Sequence, residues 1–312
     1  MGVLRRAKAS EGRQIDGIIA AAVSPRRAQE SSIDLAATLE LIDFLSDAGC
    51  NGIALLGSTG EFVHFALDDR RHMVRFAAKR SRVPLLVNVS HSTLDGAVDL
   101  ARDAAEDGVA GVMIMPPYYF RYEQPEIRAF LLQFAKEVDG AVPIYLYNIP
   151  FFTNPLQVET AVELLQTGQF AGIKDSSGDP AYLAALPRVI GDLPIRTFVG
   201  SEAIYTDARI GGASGTISGV ASALPELLVA IERSICQSDL ERAHSLDRYL
   251  QELMAQILNY PLPVAIIEAL RVRKQKMGAF AVPMSEETSL RLAGFREWFT
   301  NWLPEVLRNC AR

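Results

Sequence analysis

Short apolar segments alternate with amphipathic segments over the first two thirds of the chain. The apolar segments are bounded by glycine, proline or polar turns, a pattern typical of buried strands. Eight of them predict strands, at Gly17–Ser24, Gly52–Gly57, Pro84–Val89, Gly111–Met115, Pro143–Asn148, Phe170–Lys174, Arg196–Val199 and Gly215–Ser218. The intervening segments carry apolar residues at helical spacing, as in Ile33–Ala48 and Leu94–Asp107. Such alternation predicts parallel strands joined by right-handed helical crossovers.

Eight strand–helix units predict an α/β fold, a (β/α)₈ TIM barrel over residues 17–236. A doubly wound sheet with extra strands is the alternative that the pattern leaves open. After Pro225 the pattern is helical to the end, with predicted helices at Leu227–Cys236, Leu240–Leu258, Pro263–Lys276 and Ser285–Leu307, which would include the last barrel helix. No linker rich in glycine, serine or proline precedes residues 237–312, so we expect them to form an appended C-terminal helical bundle packed on the barrel.

The N-terminal residues 1–16 are basic but lack the apolar core of a signal peptide, so we expect a loose leader. No uncharged stretch approaches the ~20 apolar residues that span a bilayer, and we expect a cytoplasmic protein. The formal net charge of −6 argues against a nucleic-acid or membrane partner. The three cysteines are scattered without a C-x-x-C motif, which predicts neither a disulfide framework nor a zinc ribbon.

One lysine stands out at the end of a predicted strand. Lys174 closes the apolar run Phe170–Lys174, and strand alternation places it on the same face as Phe170 and Gly172. An ammonium that points into a barrel is costly unless it is paired or neutralised, and a neutral lysine amine is a nucleophile toward carbonyl groups. The alternative is an ordinary surface lysine at a strand end.

Polar residues follow several other predicted strands, and a barrel would gather them at one rim. They are Ser58, Thr59, Tyr118, Tyr119, Tyr147, Ser201 and Glu202. The four histidines, which include His64 and His91, lack metal-binding spacings, and no dinucleotide or P-loop motif occurs. We therefore expect neither a metal nor a cofactor. A lysine among hydroxyl groups fits carbonyl chemistry through a Schiff base, with a tyrosine that transfers protons.

Three motifs resemble the dihydrodipicolinate synthase/N-acetylneuraminate lyase family. They are Gly57–Glu61 (GSTGE), Tyr147–Pro150 (YNIP) and Gly172–Ser176 (GIKDS), and the 27-residue step from Tyr147 to Lys174 also matches. The resemblance covers residues 17–225 well and the helical tail loosely. It implies a class I aldolase on a TIM barrel.

The resemblance also implies roles for individual residues. Lys174 would form the Schiff base with pyruvate or another 2-oxo acid, Tyr147 would shuttle protons, and Thr59 would pass or orient the tyrosine's proton. Tyr119 would reach the site of a neighbouring subunit, which implies a homotetramer or a dimer. The predicted substrate contacts are Gly57, Ser58, Thr59, Phe152, Gly200, Glu202 and the backbone carbonyl of Ile217.

Each of these residues also has a purely structural interpretation. Tyr147 could be a core tyrosine, and Tyr119 could pack within its own loop. Ser58 and Thr59 could cap the turn that follows them. For His64 and His91 a structural or solvated position is the leading interpretation.

Departures from the family pattern bear on the substrate. Phe152 stands where dihydrodipicolinate synthases carry an arginine that grips the aldehyde's carboxylate, and Glu202 is the only acid where sialic-acid lyases carry an acidic pair. We therefore predict a lyase or aldolase for a 2-keto-3-deoxy sugar acid or a 4-hydroxy-2-oxo acid, with pyruvate as the donor. The alternatives are 4-hydroxy-tetrahydrodipicolinate synthase, a keto-acid dehydratase and a non-catalytic keto-acid sensor.

Overall fold

The computed structural model describes residues 15–28, 32–190 and 193–311. The strands are β1 (Gly17–Ala21), β2 (Gly52–Leu55), β3 (Leu85–Asn88), β4 (Gly111–Ile114), β5 (Ile144–Asn148), β6 (Gly172–Asp175), β7 (Arg196–Val199) and β8 (Gly215–Ser218). The helices are α1 (Leu35–Asp47), α2 (Leu67–Arg80), α3 (Leu94–Glu106), α4 (Gln124–Val138), α5 (Val158–Gln166), α6 (Pro180–Ile190), α7 (Tyr205–Ile210), α8 (Val220–Ala223), α9 (Pro225–Cys236), α10 (Leu240–Ile257), α11 (Val264–Val272) and α12 (Glu286–Cys310).

The eight strands form a closed barrel in sequence order, and every pair of neighbours is parallel. Closure occurs where β1 pairs with β8, with Ile19 beside Ile217. Seven of the strands are buried along their whole length, because side chains fill the inside of the barrel and helices cover its outside. The predicted TIM barrel is therefore confirmed, and the doubly wound alternative is wrong.

Several predicted boundaries shift by a few residues. The predicted strand Gly52–Gly57 ends at Leu55, because Leu56 adopts a left-handed conformation (φ 58°) that turns the chain out of the ladder. The helix predicted from Ile33 starts at Leu35, because the Asp34 side chain accepts a hydrogen bond from the amide of Ala37 and caps the helix. Local caps and turns, rather than apolar periodicity, set these ends.

The C-terminal helices pack on the barrel. Helix α10 contacts α7 and α9, and α11 contacts the short α8 that follows β8. Helix α12 lies against α9, α10 and α11, and it buries Phe295, Phe299 and Val306. The division at residues 236 and 237 stays a prediction. Most of the predicted N-terminal leader lies outside the described residues, and among the described residues no helix has the length and apolarity needed to cross a membrane.

Candidate active site

Lys174 and Tyr147 lie side by side inside the carboxyl end of the barrel. They are register partners on the neighbouring strands β6 and β5, so both side chains point to the same side of the sheet. The Lys174 amine donates to the Tyr147 hydroxyl at 3.3 Å, and it lies 4.3 Å from the centre of the tyrosine ring. The two residues are 5% and 1% exposed. Lys174 is therefore a buried amine beside a phenol rather than a surface lysine.

The third member of this cluster is Ser58, on the turn after β2. Its Oγ lies 2.9 Å from the Tyr147 hydroxyl, and either oxygen can donate. The role of Thr59 in passing or orienting the tyrosine's proton stays a prediction, and in this structure it is Ser58 that lies within hydrogen-bonding distance of Tyr147. Thr59 is buried against the segment after β8, where a Cβ added to Gly219 would lie 2.9 Å from its Oγ1.

Two residues after β1 hold the Ser58 turn in place. The Ser24 hydroxyl donates to the Gly60 carbonyl at 2.7 Å. The buried Arg26 pairs with Glu61 at 3.4 Å, and Glu61 has a left-handed backbone (φ 52°). Sequence reasoning missed both contacts. The available signal was an arginine immediately after a buried strand, a position where an unpaired charge is costly.

A second network joins the ends of β5 and β6. Asn148 donates from Nδ2 to Asp175 at 2.7 Å, and it accepts the amide of Leu156 through its carbonyl oxygen. The Ser177 hydroxyl donates to the other Asp175 oxygen at 2.7 Å. Burial raises the pKa of the Asp175 carboxyl, and these hydrogen bonds oppose the rise. Asp175 therefore supports the strand ends that carry Tyr147 and Lys174.

The other predicted substrate contacts differ in their surroundings. Gly200, after β7, leaves room for Lys174, since a Cβ there would lie 2.8 Å from the lysine Cε. Ile217 is fully buried on β8. Glu202 is buried, and its Oε1 accepts the Ser218 hydroxyl at 2.6 Å and the Val220 amide at 3.1 Å. This geometry places Glu202 at the start of α8, and its contact with a substrate stays a prediction.

Two aromatic residues of the rim are exposed. Phe152 is 59% exposed and Tyr119 is 89% exposed. The ring of Tyr119 lies 5.0 Å from that of Phe120, and its backbone is left-handed (φ 78°). Within a single chain, Tyr119 is therefore not part of the buried cluster around Lys174. The left-handed backbone directs it out of its loop at a cost in conformational energy.

The two histidines near the rim differ from each other. His91 accepts the Thr93 amide at 3.2 Å through Nδ1, beside the start of α3, and burial lowers its pKa. His64 is exposed and lies beside Phe62. In the part of the chain that the structure describes, no group of three or more His, Cys, Asp or Glu side chains is arranged to hold a metal ion.

Curated proteins are similar to this chain in sequence, and solved structures are similar to it in fold. A 4-hydroxy-tetrahydrodipicolinate synthase of Methanoculleus marisnigri is 27% identical over 290 residues, which is 92% of this chain and 99% of that protein. The structure of a 2-keto 3-deoxygluconate aldolase from Picrophilus torridus is 26% identical, with a TM-score of 0.81 over 87% of this chain and 97% of that one. A sialic acid aldolase of Ruminococcus gnavus has a TM-score of 0.85 over 94% and 99% of the two chains, and at 20% identity it shows the fold alone.

A family model covers most of the chain. The model of the dihydrodipicolinate synthetase family matches residues 14–293. This match includes all eight strands and the cluster of Lys174, Tyr147 and Ser58. The relatives above carry different names, so membership alone leaves the aldehyde unassigned. The chain therefore belongs to the dihydrodipicolinate synthetase family of class I, Schiff-base-forming lyases and aldolases.

Proposed function

We propose that Lys174 condenses with the ketone of pyruvate and that the resulting iminium drives an aldol reaction. The lysine nitrogen attacks C2 of the 2-oxo acid, and the ketone oxygen leaves as water. The iminium withdraws electrons from C3, a C3 proton is lost, and the enamine carbon attacks an aldehyde. Hydrolysis of the new iminium releases a 4-hydroxy-2-oxo acid and regenerates the amine. The observation that carries this proposal is the buried Lys174 amine 3.3 Å from the Tyr147 hydroxyl.

Tyr147 and Ser58 carry the protons in this proposal. The Tyr147 hydroxyl lies between the Lys174 amine and the Ser58 hydroxyl, at 3.3 and 2.9 Å. A phenol in this position protonates the departing hydroxyl of the carbinolamine and later the aldehyde oxygen, since both form next to the reacting carbons. The proton lost from C3 passes through the Ser58 hydroxyl back to the Tyr147 phenolate, which restores the phenol before the aldehyde reacts. Mere binding of a keto acid needs no such chain of hydroxyl groups, which argues against a sensor.

The carboxylate of the 2-oxo acid is assigned to the turn after β2. Thr59 and the backbone amides around it lie beside Ser58 on this turn, next to the register pair Tyr147 and Lys174. Backbone N–H groups and a hydroxyl bind a carboxylate by charge-assisted hydrogen bonds. Gly57 leaves open space on the same turn, since a Cβ there would meet nothing within 4 Å.

Two candidate functions differ in the aldehyde that reacts with pyruvate. The first is cleavage or synthesis of a 2-keto-3-deoxy sugar acid or another 4-hydroxy-2-oxo acid. The second is synthesis of 4-hydroxy-tetrahydrodipicolinate, the activity named for the Methanoculleus relative. Phe152 favours the first, because a phenyl ring cannot form the bidentate hydrogen bonds that an arginine offers to a carboxylate.

The proposed assembly is a homo-oligomer, a dimer or a homotetramer, in which Tyr119 enters a neighbouring subunit's site. Its exposure and its left-handed backbone support this arrangement, because a ring held away from its own chain is positioned to contact another. The cytoplasmic location stays a prediction.

Reductive trapping tests the proposed imine. Pyruvate and borohydride should convert the protein to a species heavier by one reduced pyruvate, detected by intact mass. Lys174→Ala should abolish the adduct, because the nucleophile is gone. Lys136→Ala is the matched control, since this lysine is exposed on α4, and it should trap pyruvate like the parent protein. An adduct that persists in Lys174→Ala, or no adduct in the parent protein, would refute the proposal.

A further inference from the structure

An apolar cleft opens beside the catalytic cluster. It has a volume of about 330 Å³, and it adjoins the Lys174–Tyr147–Ser58 cluster through Ser58, which lies on its wall. Most of its remaining wall is apolar, formed by Phe62, Met115, Tyr118, Phe152 and Leu262. Phe62 and Tyr118 meet edge to face at 5.9 Å. A small aromatic or branched aliphatic group fits a cleft of this size and lining.

Two polar residues of the cleft wall, Glu61 and Thr153, have partners within the protein, whereas His64 is an exposed part of the wall. Glu61 is paired with Arg26. The Thr153 hydroxyl is within hydrogen-bonding distance of two carbonyl oxygens of its own turn, those of Ile149 and Asn154, at 3.2 and 3.1 Å. Hydroxyl groups of a sugar chain in this cleft would exchange water for few new hydrogen bonds, which is unfavourable.

Arginines lie behind the cleft and at its edge, but none of them forms its wall. Among the described residues that form the lining, none is lysine or arginine. The nearby Arg70 is buried behind Phe62, 5.1 Å from its ring, and donates to the carbonyls of Asn88 and Ser90. Arg121 donates to the Thr153 carbonyl at 3.4 Å and is exposed. A carboxylate in the cleft would therefore lose its hydration without gaining a cation.

We infer that this cleft binds the tail of the aldehyde and selects an uncharged, apolar tail, aromatic or branched aliphatic. The substrate class is then a 4-hydroxy-2-oxo acid whose C4 carries such a group, made from pyruvate and the corresponding aldehyde. This inference rests on the proposed Schiff-base function and adds the identity of the second substrate. The enamine carbon forms the bond to the aldehyde carbon, and the aldehyde oxygen takes its proton from Tyr147, while the tail occupies the cleft.

A panel of three aldehydes with pyruvate tests this selection. Benzaldehyde represents the apolar class, glyceraldehyde the polyhydroxy class and aspartate semialdehyde the anionic class. We expect kcat/KM for benzaldehyde to exceed both others by about 10-fold or more, the size of effect that an apolar pocket produces. A preference for glyceraldehyde or aspartate semialdehyde, or no turnover of benzaldehyde, would overturn the inference.

Two adjacent phenylalanines provide a matched pair of variants. Phe152→Ala should raise KM for benzaldehyde about 10-fold, since Phe152 lines the cleft. Phe151→Ala should leave KM unchanged, since Phe151 is 78% exposed and lies outside the lining. Equal effects of the two variants would contradict the inference.

Phe152→Arg should shift the preference toward aspartate semialdehyde, because it adds the missing cation. If Arg121→Ala abolished turnover of aspartate semialdehyde, Arg121 would be the cation that binds the aldehyde's carboxylate, and the inference would be overturned.

Pyruvate trapping with borohydride separates this inference from the proposed function. Phe152→Ala and Phe152→Arg should both trap pyruvate, because Phe152 contacts the aldehyde tail and not the imine. Trapping without a preference for the apolar aldehyde overturns the cleft assignment alone. Absence of trapping in the parent protein overturns the Schiff base and the cleft assignment together.

Discussion

Two adjacent hydroxyl residues have different surroundings in this site. Ser58 is within hydrogen-bonding distance of Tyr147, whereas Thr59 is buried against the segment that follows β8. A hydroxyl group that returns a proton to Tyr147 affects the chemical step, while one that binds the substrate's carboxylate affects binding. The two roles are therefore separable by kinetics.

Single substitutions at Ser58 and Thr59 should therefore affect different kinetic constants. Ser58→Ala should lower kcat about 10-fold, the value of one hydrogen bond of ~1.4 kcal/mol, and Ser58→Thr should restore it. Thr59→Val should raise KM for pyruvate and leave kcat nearly unchanged. Steady-state kinetics with pyruvate varied at saturating aldehyde measure both values. A loss of kcat in Thr59→Val with none in Ser58→Ala would return the relay to Thr59.

At the level of the elements, the ends of β6 and β7 approach each other closely around Lys174. Gly200 permits this approach, because a side chain there would meet the Ser176 hydroxyl and the Lys174 Cε. On the other side of β6, the network of Asn148, Asp175 and Ser177 holds its end against the end of β5. The lysine's position therefore depends on the packing of neighbouring strand ends as well as on its own strand.

Gly200→Ala should displace Lys174 and reduce pyruvate trapping. The added Cβ would overlap the Ser176 Oγ and lie 2.8 Å from the lysine Cε, closer than van der Waals contact allows, so the end of β7 and the lysine must shift relative to each other. The initial rate of borohydride trapping measures the effect, which we expect to be about 10-fold or more for a misplaced reacting group.

The matched control is Gly294→Ala on α12, where an added Cβ meets nothing within 4 Å. It should leave trapping unchanged and stabilise the protein by up to ~1 kcal/mol through higher helix propensity. Thermal unfolding checks that both variants fold. A Gly200→Ala protein that traps pyruvate at the parent rate would show that the lysine tolerates the added methyl group.

At the scale of the whole molecule, one chain supplies the buried cluster of the site, whereas the proposed role of Tyr119 needs a second chain. Lys174, Tyr147 and Ser58 come from a single chain, while Tyr119 extends from the rim with 89% of its surface exposed. A proposed neighbour that receives this ring would make activity depend on two subunits.

Mixed oligomers test the shared site. Tyr119→Ala should lower activity, and Lys174→Ala should abolish it. Co-expression of the two variants should recover about a quarter of the parent activity if subunits pair at random, since a mixed pair contains one site with both residues intact. Mixing Lys174→Ala with the double variant should recover none. Full activity of Tyr119→Ala alone, or no recovery on mixing, would contradict the shared site.

The strand–helix alternation was readable from the sequence because the two periods, two and 3.6, are local properties of neighbouring residues. The pairing of Tyr147 with Lys174 could be predicted from the sequence for the same reason. Both close short apolar strands, and strand alternation orients both inward. The ends of the elements were harder to predict. The left-handed backbone of Leu56 ends β2 and the Asp34 side chain caps α1, and such single-residue features leave no periodic pattern.

The chain's own sequence thus determined the barrel, the rim on which the site lies and the central lysine and tyrosine. The tertiary structure alone decided which hydroxyl meets Tyr147, and that Glu202 binds Ser218 and the Val220 amide. It also decided the composition of the apolar cleft, whose wall joins Phe62, Phe152 and Leu262 from distant parts of the chain. The physical reason is that these contacts arise when the closed barrel brings irregular loops together, and irregular loops carry no periodic signal.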